Sequence, residues 1–354
     1  MREQSSEPSV PPAPSVPYAI AFLIGASLLA IAAAGFHIYL IRVREFPDMS
    51  SYAEAAEAVR HWRLPGVAAR QFWGYSYAAV LLSFLLPGVP MLVVLLIVSA
   101  IAGGVATWLA HRLWGGWIAV YMTALGWQWI QREAFGGSEP LFVALTLAAF
   151  LCVRRDQWIR AALWAALATT VRPIGVFALG AVLVTTLMRR RWRDAALGAG
   201  IGGVVFALYC VPLALTGDAL GNIHWYEPQL RDGTVWRQLF VEEVSPVRMM
   251  LVAGAIVTVL VAPFVVFAKE QTGRQAENLF ALGSSCFLVT LNCQPCAWAF
   301  SRFAIVSLPF ALVVVRRWLP RDDRVVAVLS IVSALVAAAM QVNDRNPILW
   351  LTSV

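Results

Sequence analysis

The sequence predicts an all-α polytopic membrane protein, and three observations carry that prediction. Of its 354 residues, 60% are hydrophobic and only 13% charged, with a mean hydropathy of +0.71; a soluble domain is about half apolar and a quarter charged. Uncharged apolar stretches recur from end to end, each near the ~20 residues that cross a bilayer's hydrocarbon core. The charge of +7, from 27 Lys+Arg against 20 Asp+Glu, is almost entirely arginine and gathers in short segments between those stretches, which is a topology signal. Soluble enzymes, coiled coils and free DNA-binding modules are thereby excluded. Nucleic acid is not an expected partner, because a basic face would need a soluble segment to carry it.

Taken in order, residues 1–17 are rich in Pro and Ser and are expected to form a disordered cytoplasmic tail. The uncharged run from Val16 to Ile41 is longer than a signal-peptide core and reads as a retained signal anchor. Hydropathy places spans at 18–41, 91–111, 115–131, 138–153, 158–171, 173–188, 194–215, 247–268, 276–294, 301–318 and 325–342, about eleven transmembrane helices in a single domain over 18–342. The pair within 158–188 is short for two full crossings, so a broken or tilted arrangement inside the bundle is expected. The apolar piece 76–86, closed by LPGVP, is too short to span. Residues 343–354 are left as an outer tail.

Orientation follows from four arginine-rich segments: Arg154, Arg155 and Arg160; Arg189, Arg190, Arg191 and Arg193; Lys269 and Arg274; Arg316, Arg317, Arg321 and Arg324. Placed in the cytoplasm, they put the N-terminus inside, the C-terminus outside, and the loops 42–75 and 216–246 on the outer face. Loop 42–75 carries five arginines of its own among four acids. Inverting the chain would expose four tight clusters to spare this one mixed loop, so the first orientation is retained.

Chemistry-bearing residues concentrate in the segments assigned to that outer face. DMSSYAEAAEAVRHW, residues 48–62, has apolar residues at helical spacing and reads as an amphipathic helix on the membrane surface, with Ser50 and Ser51 as N-cap candidates. Asp48 stands at its start; in isolation it reads as a helix cap, and at the bilayer edge as a positioned carboxylate. Next comes the polar hinge QREAFGGSEP, residues 131–140: Gly136 and Gly137 make a tight turn, Ser138 is placed to cap the next helix, and Glu139 and Pro140 suit its first turn. Capping does not explain why Arg132 and Glu139 occur together at one membrane-level turn.

Arg172 interrupts an apolar run at LATTVRPIGVFAL, and Arg302 stands alone in AWAFSRFAIVSLPF. A charge in such a setting is costly unless paired or facing a polar cavity. Snorkelling anchors are the plain reading, but single arginines meeting at one level make an anion site whose geometry suits phosphate. His37 and His111 read as structural. The loop NIHWYEPQLRDGTVW, residues 222–236, offers His224 and Tyr226 as sugar contacts or as interfacial anchors. Cys293 and Cys296 form a lone CxxC, read as packing or an extracytoplasmic disulfide rather than zinc. No metal-ligand spacing, P-loop or dinucleotide fingerprint occurs, so no cofactor is expected. GAGIGG at 198–203 reads as close helix packing.

In their order, FPDMSSY, QFWGYSYAAVLLSFL, GGSEPLFVALTLAAF, ALATTVRPIGVFALG and SRFAIVSLPFALVV resemble the glycosyltransferase C superfamily, polytopic enzymes that take a sugar from a polyprenyl-phosphate carrier on the outer face of a membrane. The resemblance implies a polyprenyl-phosphate sugar donor, a lipid, glycan or protein acceptor, and an extracytoplasmic active site in a plasma membrane. It further implies Asp48 as general base, with Arg132, Arg172 and Arg302 on the carrier phosphate and Glu139 binding sugar hydroxyls or holding an arginine. Many members have a paired acid where this chain has Asp-Met-Ser, and Glu139 is the best substitute. A transporter or flippase with an outward anion site is the main alternative; a non-catalytic scaffold is the other.

Overall fold

The computed structural model describes residues 12–38, 47–61, 72–215, 220, 275–290 and 305–342, and within these every regular element is an α-helix. The helices are α1 (Val16–Ile38), α2 (Pro47–Arg60), α3 (Gly74–Ser83), α4 (Met91–Trp114), α5 (Gly116–Ala124), α6 (Trp127–Phe135) and α7 (Glu139–Arg154). They continue as α8 (Trp158–Val171), α9 (Gly175–Met188), α10 (Trp192–Ala214), α11 (Gln275–Thr290), α12 (Leu308–Val315) and α13 (Asp323–Val342). Four of them, α1, α4, α10 and α13, are long and apolar enough to cross a membrane, and the bent pair α6–α7 has the composition of a broken span or a re-entrant loop. The architecture is all-α and polytopic. The expected span 247–268 lies outside the described residues, as do 291–294 of the span 276–294 and 301–304 of the span 301–318.

The expected span 115–131 comes out differently, whereas the two short helices expected within 158–188 are both present. Residues 115–131 do not form one helix: α5 ends at Ala124 and α6 restarts at Trp127. Gly126 stands at the break, with φ −106° and ψ 58°, and the Leu125 N–H donates back to the Tyr121 and Thr123 carbonyls. The 158–188 stretch forms an antiparallel hairpin. Pro173 disfavours helical geometry at the residue before it, and Arg172 is extended at φ −148°, ψ 141°. The far ends of the hairpin meet, since Arg189 Nη1 lies 3.2 Å from Asp156 Oδ1 and its guanidinium stands 5.2 Å from the Trp158 ring. At 14 residues each, α8 and α9 reach ~21 Å.

Small residues let these helices approach. Ala161, Ala162, Ala165 and Ala168 of α8 are fully buried or nearly so. A side chain at Gly198 would meet Ala162 and Leu183 at 3.0 Å, and one at Gly202 would meet Leu179 at 2.8 Å, so these two serve close packing as expected, whereas Gly200 and Gly203 of the same run have nothing within 4 Å. Ala26 and Ala30 of α1 pack with Ile130 of α6 and Ala334 and Ala337 of α13. One aromatic cluster joins α7, α11 and α12 through Phe150, Phe280 and Phe310, whose ring centroids are 5.3–6.0 Å apart.

Both ends of the bundle are polar. At one, Arg154 Nε and Nη2 donate to Glu277 at 2.7 and 2.9 Å, Arg154 Nη1 donates to the Leu113 carbonyl, and Trp114 Nε1 donates to Glu277 at 3.0 Å. These contacts tie the ends of α4 and α7 to the start of α11. The other end holds the α6–α7 turn and the tip of the α8–α9 hairpin, so the arginine clusters at 154–160 and 189–193 lie away from Arg132, Glu139 and Arg172.

Candidate functional site

The α6–α7 turn is the scaffold of the site. α6 and α7 meet at 108°, a bend that needs a backbone no ordinary residue adopts, and Gly136 supplies it at φ +95°, ψ 147°. Gly137 is required for space: a Cβ there would lie 2.5 Å from Glu139 Oε2 and 2.7 Å from Arg132 Cδ. Ser99 of α4 holds the turn from beneath, donating to the Gly137 carbonyl at 2.9 Å and accepting the Gly137 N–H at 3.1 Å. The Tyr75 hydroxyl stands 2.6 Å from Ser99 Oγ and donates to the Leu95 carbonyl at 2.7 Å.

On this turn three charged side chains come together in the interior. Glu139, in the first turn of α7, is fully buried, with Arg132 at 4% and Arg172 at 8% exposure. Arg172 Nη1 lies 2.7 Å from Glu139 Oε1, and Arg132 Nε lies 3.9 Å from the same oxygen. Arg172 also donates to Ser138 Oγ at 3.2 Å. Charges buried this deeply are retained only when paired and hydrogen-bonded, and here two guanidinium groups converge on one carboxylate. Glu133, although adjacent in sequence to Arg132, turns away: it accepts from Ser27 of α1 and occupies the space left by Gly103 of α4.

Ser138 does not cap α7 as expected. It occupies the N-cap position, but its side chain makes no capping bond; its hydroxyl instead meets Arg172 and the Tyr52 hydroxyl, the latter at 3.2 Å. A hydroxyl has one proton and two lone pairs, and the guanidinium and the phenol are the partners it has here. Ser50 and Ser51 are likewise not caps, because α2 begins earlier, at Pro47.

The surface helix α2 lies against this turn. Met49 and Tyr52 are buried; the Met49 thioether approaches Gly136, Tyr52 packs edge-on against Tyr75 at 5.1 Å, and the Tyr52 carbonyl accepts from Ser76 at 2.9 Å. Asp48 belongs to the first turn of α2, one residue before Met49 and four before Tyr52, although its side chain is outside the described residues. Arg302, His224, Tyr226, Cys293 and Cys296 also lie outside them. His111 Nε2 meets the Pro14 carbonyl at 3.2 Å and His61 Nδ1 meets the Glu57 carbonyl at 3.0 Å.

The structure thus brings Arg132, Glu139 and Arg172 together. Tyr52, Tyr75, Ser99 and Ser138 belong to the same network, and only Ser138 stood out in the sequence, for a different role. Ser99 is a lone hydroxyl in an apolar stretch of α4, whereas Tyr52 and Tyr75 stand beside other hydroxyl residues, Ser51 and Ser76, and only the packing of α2, α3 and α4 singles them out. Among the described residues, no group of three or more His, Cys, Asp or Glu side chains could hold a metal ion.

The sequence matches no described protein family and no characterised protein. Its fold does have a match among solved structures: the crystal structure of ArnT from Cupriavidus metallidurans bound to undecaprenyl phosphate, with a TM-score of 0.57 and 14% sequence identity. The alignment covers 87% of this chain and 62% of ArnT, so the chain spans less than two thirds of that protein's length. The chain therefore shares with ArnT a helical membrane fold, reached through a largely different sequence.

Proposed function

We propose that this protein is a membrane glycosyltransferase that moves a sugar from a polyprenyl-phosphate donor to an acceptor on the extracytoplasmic face. The observation that carries the reading is the convergence of Arg132 and Arg172 on Glu139 at the buried α6–α7 turn, beside the helix whose first turn carries Asp48. The fold shared with ArnT, a protein captured with undecaprenyl phosphate, supports the same reading.

In this account the acceptor hydroxyl gives its proton to Asp48 as its oxygen bonds to the anomeric carbon. The bond from that carbon to the phosphate oxygen breaks, and the polyprenyl phosphate leaves with the electron pair. Guanidinium groups already fixed in a low-dielectric site stabilise the charge that grows on the leaving oxygen without reorganising. Arg172 and Arg132 have that role, with Arg302 as a third. Glu139 holds the arginines in place, and its partners fit this role better than that of a base. His224 and Tyr226 contact the sugar.

The test is transfer by the purified full chain, using radiolabelled polyprenyl-phosphate sugars and membrane acceptors. Wild-type protein transfers label from one donor class, and Asp48→Asn, which keeps the shape but cannot take the proton, loses about 10²–10⁴-fold in rate. Transfer by Asp48→Asn at more than about a tenth of the wild-type rate would remove Asp48 from the mechanism.

A further inference from the structure

At the end of the bundle away from the α6–α7 turn there is a second cationic site, which the proposed transfer reaction does not use. It lies ~22 Å along α4 from Ser99, at 1.5 Å per residue. There the end of α4, the start of α5 and the segment after α12 enclose a cavity of about 420 Å³. Arg316, Arg317 and Arg321 line it, together with Trp114, Trp117 and Gly116.

The cavity is a built feature. The Tyr121 hydroxyl donates to the Pro320 carbonyl at 2.7 Å, fixing the turn that carries Arg321 against α5. The Pro14 carbonyl, next to the lining residue Ala13, lies over Gly116, where any side chain would collide with it, and it meets His111 Nε2 at 3.2 Å. α5 starts at Gly116 without a side-chain cap, so the positive end of that helix lines the same space. Among the described residues the acids nearest the cavity have partners of their own: Asp322 Oδ1 accepts the Arg324 N–H at 2.8 Å, Asp323 lies beside the Tyr18 hydroxyl, and Glu277 accepts from Trp114 and Arg154. None of the three lines the cavity.

We propose that this cavity binds the phosphate group of an anionic membrane-lipid headgroup. Arginine forks match phosphate oxygens in geometry as well as charge. Trp114 and Trp117 are the residue type that settles at headgroup level. The adjacent helices α4 and α13 are among those long and apolar enough to cross the bilayer, which places the cavity at the membrane edge, where lipid phosphates are. The arginine pattern assigns this end to the cytoplasmic leaflet, whose anionic lipids basic pockets between helices recognise. A free phosphate offers the same chemistry without the acyl chains, and the experiment separates the two.

Purified full chain in detergent is titrated with dioleoylphosphatidylglycerol, dioleoylphosphatidylcholine or inorganic phosphate, and bound molecules are counted by native mass spectrometry. Wild-type protein should retain phosphatidylglycerol in preference to phosphatidylcholine. The double variant Arg317→Gln/Arg321→Gln should bind phosphatidylglycerol roughly thirtyfold more weakly, about fivefold for each arginine near an anionic headgroup. Arg317→Lys/Arg321→Lys, which keeps both charges, should recover part of that affinity and so report on recognition rather than folding. Arg155→Gln/Arg160→Gln removes two exposed arginines elsewhere and should change nothing. Equal affinity of wild type and the glutamine variant for phosphatidylglycerol would overturn the site. Binding of inorganic phosphate with no preference between the two lipids would overturn the lipid assignment.

Discussion

Arg172 Nη1 stands 2.7 Å from Glu139 Oε1, and this pair joins the tip of the α8–α9 hairpin to the first turn of α7. Neither helix of the hairpin is long enough to cross a bilayer alone, so its tip ends inside the bundle, where an unpaired guanidinium would be costly. Glu139 lies in that position because the α6–α7 bend brings the amino end of α7 inward. A device for charge pairing and one for backbone turning thus meet at the same place.

The pair should behave as a unit when broken. Glu139→Ala and Arg172→Ala should each destabilise by about 3–5 kcal/mol, because each leaves the other's charge buried. The double variant should cost less than the sum, with a coupling of about 0.5–3 kcal/mol. Thermal unfolding of the four proteins in one detergent checks this; additive losses would mean that the two side chains act independently.

Two glycines should respond in opposite directions. Gly136 has φ +95° and ψ 147°, a region that other residues enter at a cost of about 1–3 kcal/mol, so Gly136→Ala should destabilise by at least that amount. Gly104, inside α4, has nothing within 4 Å of an added Cβ, and Gly104→Ala should stabilise by about 0.5–1 kcal/mol through helix propensity. Unfolding temperatures of the two variants, measured side by side, decide the point.

Ser99→Ala removes the hydroxyl that both donates to and accepts from Gly137. Leaving buried backbone groups unsatisfied costs about 1–3 kcal/mol. The loss should appear as faster amide exchange at Gly137 and its neighbours, with the ends of α4 unaffected.

At the other end of the bundle, Arg154→Ala breaks the contacts to Glu277 and the Leu113 carbonyl. It should lower stability by about 2–3 kcal/mol, less than a fully buried pair because Arg154 is a quarter exposed. Transfer per folded molecule should stay unchanged, since these contacts are remote from the α6–α7 turn; a rate loss matching that of Asp48→Asn would make the two ends functionally inseparable.

Much of this was legible in the sequence because it rests on local rules. Runs of apolar residues marked α1, α4, α10 and α13, Pro173 marked the break beside Arg172, and Gly136–Gly137 marked the turn. The split between α5 and α6 was not legible, because residues 115–131 carry no charge and the break depends on packing around Gly126. Ser138 was misassigned for a similar reason: its position in the sequence is that of a cap, while its partners, Tyr52 and Arg172, come from elements 86 and 34 residues away. Contacts of that range follow from the tertiary arrangement and leave no periodicity to read.

The most direct measurement is the affinity of the purified full chain for undecaprenyl phosphate, compared among wild type, Arg172→Ala, Arg172→Lys and the exposed control Arg160→Ala. If Arg172 holds the carrier phosphate, Arg172→Ala weakens binding by about 10- to 150-fold, the worth of a charge-assisted hydrogen bond. Arg172→Lys recovers only part of this, because a point charge cannot reproduce the fork, and Arg160→Ala binds like wild type. Equal affinity across all four proteins would contradict the account.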